Sequence, residues 1–267
     1  MNQDIDLLEN HKRLISEAIK KERENNPILL PYWNDNFLGI ANSILRSSLF
    51  GVVKKGKRES LTRELLASQQ GIEIRYTGIR LDQLDLTVWE NLIQIARSSP
   101  LGNRVMFSAN DFLRNIGKST GKMNHEWFKE CISRLKATAV EIKYNRKTYM
   151  GSLLADCFWD ENSNQYIVIL NPKLILLYDT NEWTKLESNI RIALKGKPLA
   201  LWLYGYYSTH TEPYPIKVST LYKLSGASHS ELRFFKRDLL KACTNITEVT
   251  GWKFEVKAEL LHVRKIT

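Results

Sequence analysis

The residues of this 267-residue chain best suited to chemistry are cations at helical spacing. Lys122, His125, Lys129, Ser133 and Lys136 recur at three- and four-residue steps, opposite Phe128, Cys131, Ile132 and Leu135. That spacing predicts a helix over 124–136 with one buried face and one cationic face. A second stretch, 230–244, repeats the pattern: Leu232, Phe235 and Leu239 form the apolar stripe, and His229, Arg233, Lys236 and Arg237 point away from it. A guanidinium can donate two parallel hydrogen bonds to guanine O6 and N7, so Arg233 and Arg237 are the candidate base readers. The lysines, with the hydroxyls of Ser119, Thr120, Ser228 and Ser230 near the helix starts, suit phosphates, which helix N-termini also favour.

The elements needed to position these residues occur twice. A strand at Arg104–Ser108, a short helix and turn over Asp111–Gly117, the first basic helix and a hairpin around Lys143–Lys147 form one copy. Pro215–Ser219, Thr220–Gly226, the second basic helix and a hairpin over Trp252–Arg264 form the other. Each copy reads as a helix-turn-helix with a wing, which lays its second helix in the major groove of DNA. The fold class is therefore α+β, with tandem winged-helix domains. Lys143, Arg146 and Lys147 fit either a wing gripping the DNA backbone or an ordinary charged turn.

Around the repeats, Ile72–Tyr76 alternates as a strand, and Leu81–Arg97 predicts a scaffold helix with Leu84, Val88, Leu92, Ile95 and Ala96 on one face. Ala139–Tyr144, Thr148–Phe158 and Gln165–Leu170 read as a meander with a polar turn at 160–164. Pro31-Tyr-Trp33 and Asn34-Asp-Asn36 read as a linker with aromatic anchors. Residues 5–24 have helical spacing but lack the sustained heptads of a dimer seam, so they read as a solvated terminal helix. The expected division is an N-terminal helix and linker over 1–30, a first domain over 31–185 and a second over 186–267, the boundary lying between Tyr178 and Lys197.

Composition narrows the function. Hydrophobic residues make up 43% and charged residues 25%, as in ordinary globular chains, but Lys and Arg total 39 against 29 acids, a net charge of +10. That excess suits a polyanion, nucleic acid first. The longest apolar runs are too short to span a bilayer. Three scattered cysteines make neither a disulfide framework nor a metal knuckle, which predicts a reducing cytoplasm. Gly117-Lys-Ser-Thr-Gly-Lys122 lacks the spacing of a phosphate-binding loop, because the first glycine would have to stand at Phe112. His210 has no second histidine nearby to build a metal site, and the acids form no local cluster for two-metal chemistry. The reading is a DNA-binding protein without catalysis, metal or cofactor.

Several strings also resemble one known family: Arg46-Ser-Ser-Leu-Phe50, Tyr76-Thr-Gly78, Ser99-Pro-Leu-Gly102, Cys131–Ala139, Tyr207–Pro215 and Leu261-His262. From about Pro31 to Lys265 the chain resembles the TrfA-type plasmid replication initiators. The resemblance implies a tandem winged-helix initiator that binds direct repeats (iterons) in double-stranded origin DNA and helps melt an adjacent AT-rich segment, exposing single strands. It further implies recruitment of the host replicative helicase and the polymerase sliding clamp, a monomer–dimer equilibrium, and work in the bacterial cytoplasm. The family's clamp-binding pentapeptide, Gln-Leu-Ser-Leu-Phe, would stand where this chain has Asn26-Pro-Ile-Leu-Leu30, without the glutamine. A transcriptional repressor, which uses the same DNA-binding physics without melting, is the alternative.

Overall fold

The computed structural model describes residues 27–266 except positions 54, 55, 57, 145, 161, 164 and 179–181. The helix expected over 5–24 lies outside the described residues. The chain begins with β1 (Phe37–Ala41), the short helix α1 (Asn42–Leu45) and β2 (Phe50–Gly51). It continues through β3 (Ser60–Leu66), β4 (Ile72–Ile79) and β5 (Leu81–Asp82) into the long helix α2 (Gln83–Ala96). In β4 the period-two pattern buries Ile72, Ile74 and Tyr76, as the alternation predicts.

Helix α2 starts at a capping box: the Asp82 carboxylate accepts from the backbone N–H groups of Leu84 and Asp85, and Asp85 accepts in return from that of Asp82. The sequence predicts one buried face, but burial extends almost round the helix and takes in Gln83, Asp85 and Glu90. Each of these polar groups has a distant partner. Gln83 Nε2 donates to the Phe50 carbonyl at 2.5 Å, Asp85 faces Arg58 and Arg134, and Glu90 faces Arg191.

The two repeats follow. The first contains β6 (Arg104–Ser108), α3 (Ala109–Asn115) and α4 (Lys122–Lys136). After an excursion through β7 (Ala139–Tyr144) and β8 (Lys147–Gly151), it closes with β9 (Leu154–Asp160) and β10 (Gln165–Leu170), in the sheet order β6-β10-β9. A 3₁₀ turn over Pro172–Leu177, β11 (Trp183–Glu187), α5 (Ser188–Ala193) and α6 (Pro198–Ser208) lead to the second repeat. That repeat runs through β12 (Ile216–Lys217), α7 (Val218–Leu224), α8 (Leu232–Thr250), β13 (Lys253–Lys257) and β14 (Leu260–Arg264), in the order β12-β14-β13. In both, the first strand pairs with the last. Gly117 and Gly226, at φ +68° and +58°, make the turn after the first helix in the left-handed region that glycine enters without a Cβ clash.

One expectation about the first repeat is overturned. The Lys143–Lys147 hairpin is not the partner of β6; β7 and β8 extend β3 and β4 into a separate four-stranded sheet. Ile142 and Val140 face Ile74 and Tyr76 in register there, so the branched residues of β7 find their apolar partners on β4. The stretch 148–158, read as one strand, is two strands that part at Gly151-Ser152 and enter different sheets. The hairpin equivalent to β13–β14 is β9–β10. The expected division at 185/186 also falls inside β11, all five residues of which pair with β1.

Trp33, expected in a linker, is fully buried. Its Nε1 donates to Gln94 Oε1 at 2.6 Å on α2, and its ring lies 6.3 Å from that of Tyr178 and 5.3 Å from that of Trp183. The indole lies so close over Gly39 that a Cβ there would come within 2.6 Å of it. The indole is gripped on several sides, so Gly39→Ala should destabilise the fold by about 1–3 kcal/mol through overpacking. A urea or thermal unfolding curve checks this, and an unchanged midpoint would refute the close approach.

Candidate nucleic-acid interface

Helix α4 is held from beneath by Phe128, Cys131, Ile132 and Leu135, all buried as the spacing predicts. Phe128 packs on Phe112 and Tyr166, with ring centroids 4.7 and 5.0 Å away, so α3 and β10 both locate it. Lys122 is exposed as the helix's first residue, after the uncapped Gly121. Ser119 is exposed in the preceding turn, its hydroxyl and carbonyl each accepting from Asn124 Nδ2 at 2.8 Å, and Thr120 is half-buried. His125 does not stand free on the outer face: its Nε2 meets Asn110 Oδ1 of α3 at 2.9 Å and the side chain is half-buried. Lys129 is exposed and pairs with Glu126 at 3.3 Å. Lys136 leans onto β9, donating to the Ala155 carbonyl and lying 3.4 Å from Asp156. With Glu126 and Glu130 on the same surface, the outer face of α4 carries mixed charge.

Helix α8 begins at Leu232 and runs to Thr250, longer than the sequence predicts. Phe235, Leu239, Ala242, Cys243 and Ile246 make its buried stripe. Leu232, expected in that stripe, is 37% exposed because it sits in the first turn, before the helix reaches the core. Arg233 and Arg237 project outward with the Phe234 ring between them, their guanidinium carbons 4.9 and 5.8 Å from its centroid. An aromatic face holds a cation without occupying its N–H donors. Arg233 also pairs with Glu231 at 2.9 Å, Arg237 with Asp238 at 3.2 Å and Lys236 with Glu259. Ion pairs this exposed are worth about 0–1 kcal/mol, so a phosphate or base edge can displace them.

His229, expected to face outward, is half-buried. Its Nε2 lies 3.0 Å from Asp238 Oδ2, and its carbonyl accepts from the Tyr222 hydroxyl at 2.5 Å. The hydrogen bond from His229 holds the Asp238 carboxyl below its ordinary range, with Arg237 adding to the effect. Ser228 and Ser230 are exposed and, with Arg237, Lys241, Lys197 and Phe234, line a cleft of about 590 Å³ beside the start of α8. No acidic residue stands at the N-cap or in the first turn of α4, which leaves that helix start open to anions, whereas Glu231 at the N-cap of α8 already occupies Arg233 there. Lys143, Arg146 and Lys147 are exposed on the separate β7–β8 hairpin, where Lys143 faces Glu73 across the β4–β7 pair. Sequence reasoning missed Phe234, Lys118 (its Nζ lies 4.0 Å from the Trp127 ring centroid), Lys197 and Lys241.

A family model described as TrfA protein matches residues 8–265. The chain belongs to the TrfA protein family. This TrfA-family chain is 26% identical, over 223 residues, to the plasmid replication initiator protein TrfA of Escherichia coli, a match covering 80% of the chain. It spans 58% of that relative's length, a little over half. Among solved structures, two structures of the RctB segment that contains domains 2 and 3 superpose with TM-scores of 0.56 and 0.53 at 14% and 16% identity, each covering 84% of the chain and 96% and 95% of the structure. The Pi initiator protein in complex with iteron DNA superposes with a TM-score of 0.51 at 14% identity, covering 74% of the chain and 96% of that structure. At these identities the likeness is one of fold.

No group of three or more His, Cys, Asp or Glu among the described residues is arranged to hold a metal, and no described helix is long and apolar enough to cross a membrane. His210 is held by its own turn, with Nδ1 3.0 Å from the Tyr206 carbonyl and 2.9 Å from Thr209 Oγ1. Burial holds its pKa below the ordinary value, the Tyr206 bond partly opposing this. A histidine with a lowered folded-state pKa contributes stability that is complete above its unfolded value and lost as pH falls below it. Unfolding midpoints should therefore drop between about pH 7 and about pH 5, less steeply in His210→Gln; parallel slopes in urea titrations would refute the assignment.

Proposed function

We propose that this chain is a plasmid replication initiator that binds direct repeats of double-stranded origin DNA sequence-specifically and promotes opening of an adjacent segment. The observation that carries the reading is the repeated connectivity, strand, helix, glycine turn, basic helix and returning hairpin, in a chain of the TrfA family. The name of the Escherichia coli relative and the iteron DNA bound to the Pi initiator agree with it.

Each repeat is read as a winged helix, with α4 and α8 as the major-groove helices. The wing of the first unit is β9–β10, the topological counterpart of β13–β14, and the β7–β8 hairpin is an insertion. The units divide after β11, where pairing with β1 ends. Arg233 and Arg237 read bases, steadied by Phe234; Lys122, Lys129, Ser119, Thr120, Ser228 and Ser230 hold phosphates; Lys143, Arg146 and Lys147 add a more distant cationic contact. His125, His229, Lys136 and Lys236 shape the surface through the contacts they already make. The role is binding in the cytoplasm, not catalysis. The helicase, the sliding clamp, the melted strand and self-association enter with the family.

Selection of bound duplexes from a random-sequence pool tests the reading. The wild-type chain should enrich one repeat, and Arg233→Ala should lose about 1–3 kcal/mol and relax preference at a single base pair. On a supercoiled plasmid bearing the enriched repeat beside an AT-rich stretch, permanganate should detect unpaired thymines. Thymines that stay paired would favour a repressor, and a pool with no enrichment would refute sequence-specific binding.

A further inference from the structure

The short turn between α5 and α6, Lys195-Gly196-Lys197, joins the approaches to the two basic helices. Lys195 Nζ donates to the carbonyl of Gly117, the residue that turns α3 into the approach to α4. On the other side, Lys197 lines the cleft of about 590 Å³ with Ser228, Arg237 and Lys241, at the start of α8. The segments that lead into both basic helices thus meet this one turn. Lys118, half-buried on the Trp127 ring, borders the same junction with Lys195. Burial, and then the nearby Lys195 charge, lower its pKa.

Like charges held together are unfavourable unless an anion joins them. The carboxylates lining the junction and the cleft are already engaged: Glu90 at the junction with Arg191 at 2.8 Å, and Asp238 in the cleft with His229 at 3.0 Å and with Arg237 at 3.2 Å. Among the described residues, Lys118 and Lys195 bond to a ring and a carbonyl, neither of which neutralises them. Gly196, at φ +79° with nothing within 4 Å of the place a Cβ would take, lets the chain reverse here between the two lysines.

We propose that the Lys195-Gly196-Lys197 turn, with Lys118, is a phosphate-binding bridge that holds the DNA backbone between the two major-groove contacts. The proposal rests on the reading of α4 and α8 as groove-reading helices. Two helices in successive major grooves leave a minor groove between them, and its phosphodiester strands must pass the part of the protein that joins the helix starts. Backbone contacts there would fix the register of the two readers without reading sequence.

The test uses the full chain and a duplex enriched by the wild-type chain from a random pool, with a shuffled duplex as comparison. In the double variant Lys195→Gln/Lys197→Gln, the slope of log K against log salt should become shallower by about 1.8, at roughly 0.9 for each phosphate no longer neutralised. Preference for the enriched duplex over the shuffled one should be kept. Lys195→Arg/Lys197→Arg should retain the wild-type slope, which separates lost charge from lost folding. Ethylation of phosphates between the two major grooves should block the wild-type chain and leave the glutamine variant indifferent. An unchanged slope and ethylation pattern in the glutamine variant, while Arg233→Ala still loses base preference, would overturn the bridge alone. A wild-type chain that enriches no sequence would remove the two-helix reading and the bridge with it.

Discussion

The structure depends on two carboxylates buried on one helix. Asp85, with no exposed surface, accepts from Arg58 at 2.5 Å, from Arg134 at 2.9 and 3.1 Å, and from the Asp82 backbone at 3.0 Å. Five residues on, Glu90 meets Arg191 at 3.1 and 2.8 Å, with both side chains almost wholly enclosed. That spacing turns about 140° around an α-helix, so the two carboxylates look toward different sides. One side holds α4 through Arg134, and the other holds α5 through Arg191, which also donates to the Leu201 carbonyl of α6 at 3.1 Å. Removing one partner of a buried pair costs on the order of 3–5 kcal/mol, so neither α4 nor α5 can drift without exposing that penalty. Helix α2 therefore fixes α4 directly and, through α5 and α6, the support on which α8 packs.

The same arrangement explains why α2 was the least legible part of the fold. Its leucines and valine announce one buried face, of which Val88, Leu92 and Ala96 are buried while Leu84 and Ile95 are half-buried at the edge. Nothing in the local pattern tells a buried Asp85 or Glu90 from a solvated one, because the partners come from 27, 49 and 101 residues away. Burial alone pushes the Glu90 carboxyl up, and only Arg191 opposes it. The repeats were legible for the opposite reason: glycine turns, apolar stripes and strand alternation are local. What hid the closing hairpin of the first repeat was a local signal with a non-local owner. Val140 and Ile142 have the alternation expected of a hairpin strand, yet they pair with β4, some 65 residues earlier, before the chain returns as β9–β10.

At the candidate interface, residue type was legible and availability was not. The spacing found both cationic faces. It could not show that His125 would be taken by Asn110, His229 by Asp238, or Lys136 by β9, since each partner lies on another element or across a turn. Phe234 was hidden by its neighbour: of two adjacent phenylalanines, Phe235 is drawn under the helix with Leu239 and Ala242, which leaves Phe234 at the rim beside the arginines.

Arginine plays opposite parts in this chain, and burial decides which. Arg134 and Arg191 are enclosed, so their pairs with Asp85 and Glu90 are directional and costly to break, and they hold the frame. Arg233 and Arg237 are 72% and 63% exposed, their pairs with Glu231 and Asp238 are screened by water, and their N–H donors can turn from those carboxylates to the acceptors of another anion. An enclosed pair fixes the spacing of the elements it joins and an exposed pair stays open to exchange, and the chain carries both kinds. Helix α8 has the exchangeable kind at its start and α4 the enclosed kind at its end, which makes the two repeats unequal: α4 is anchored through the core by Arg134, whereas α8 presents its arginines outward on Phe234.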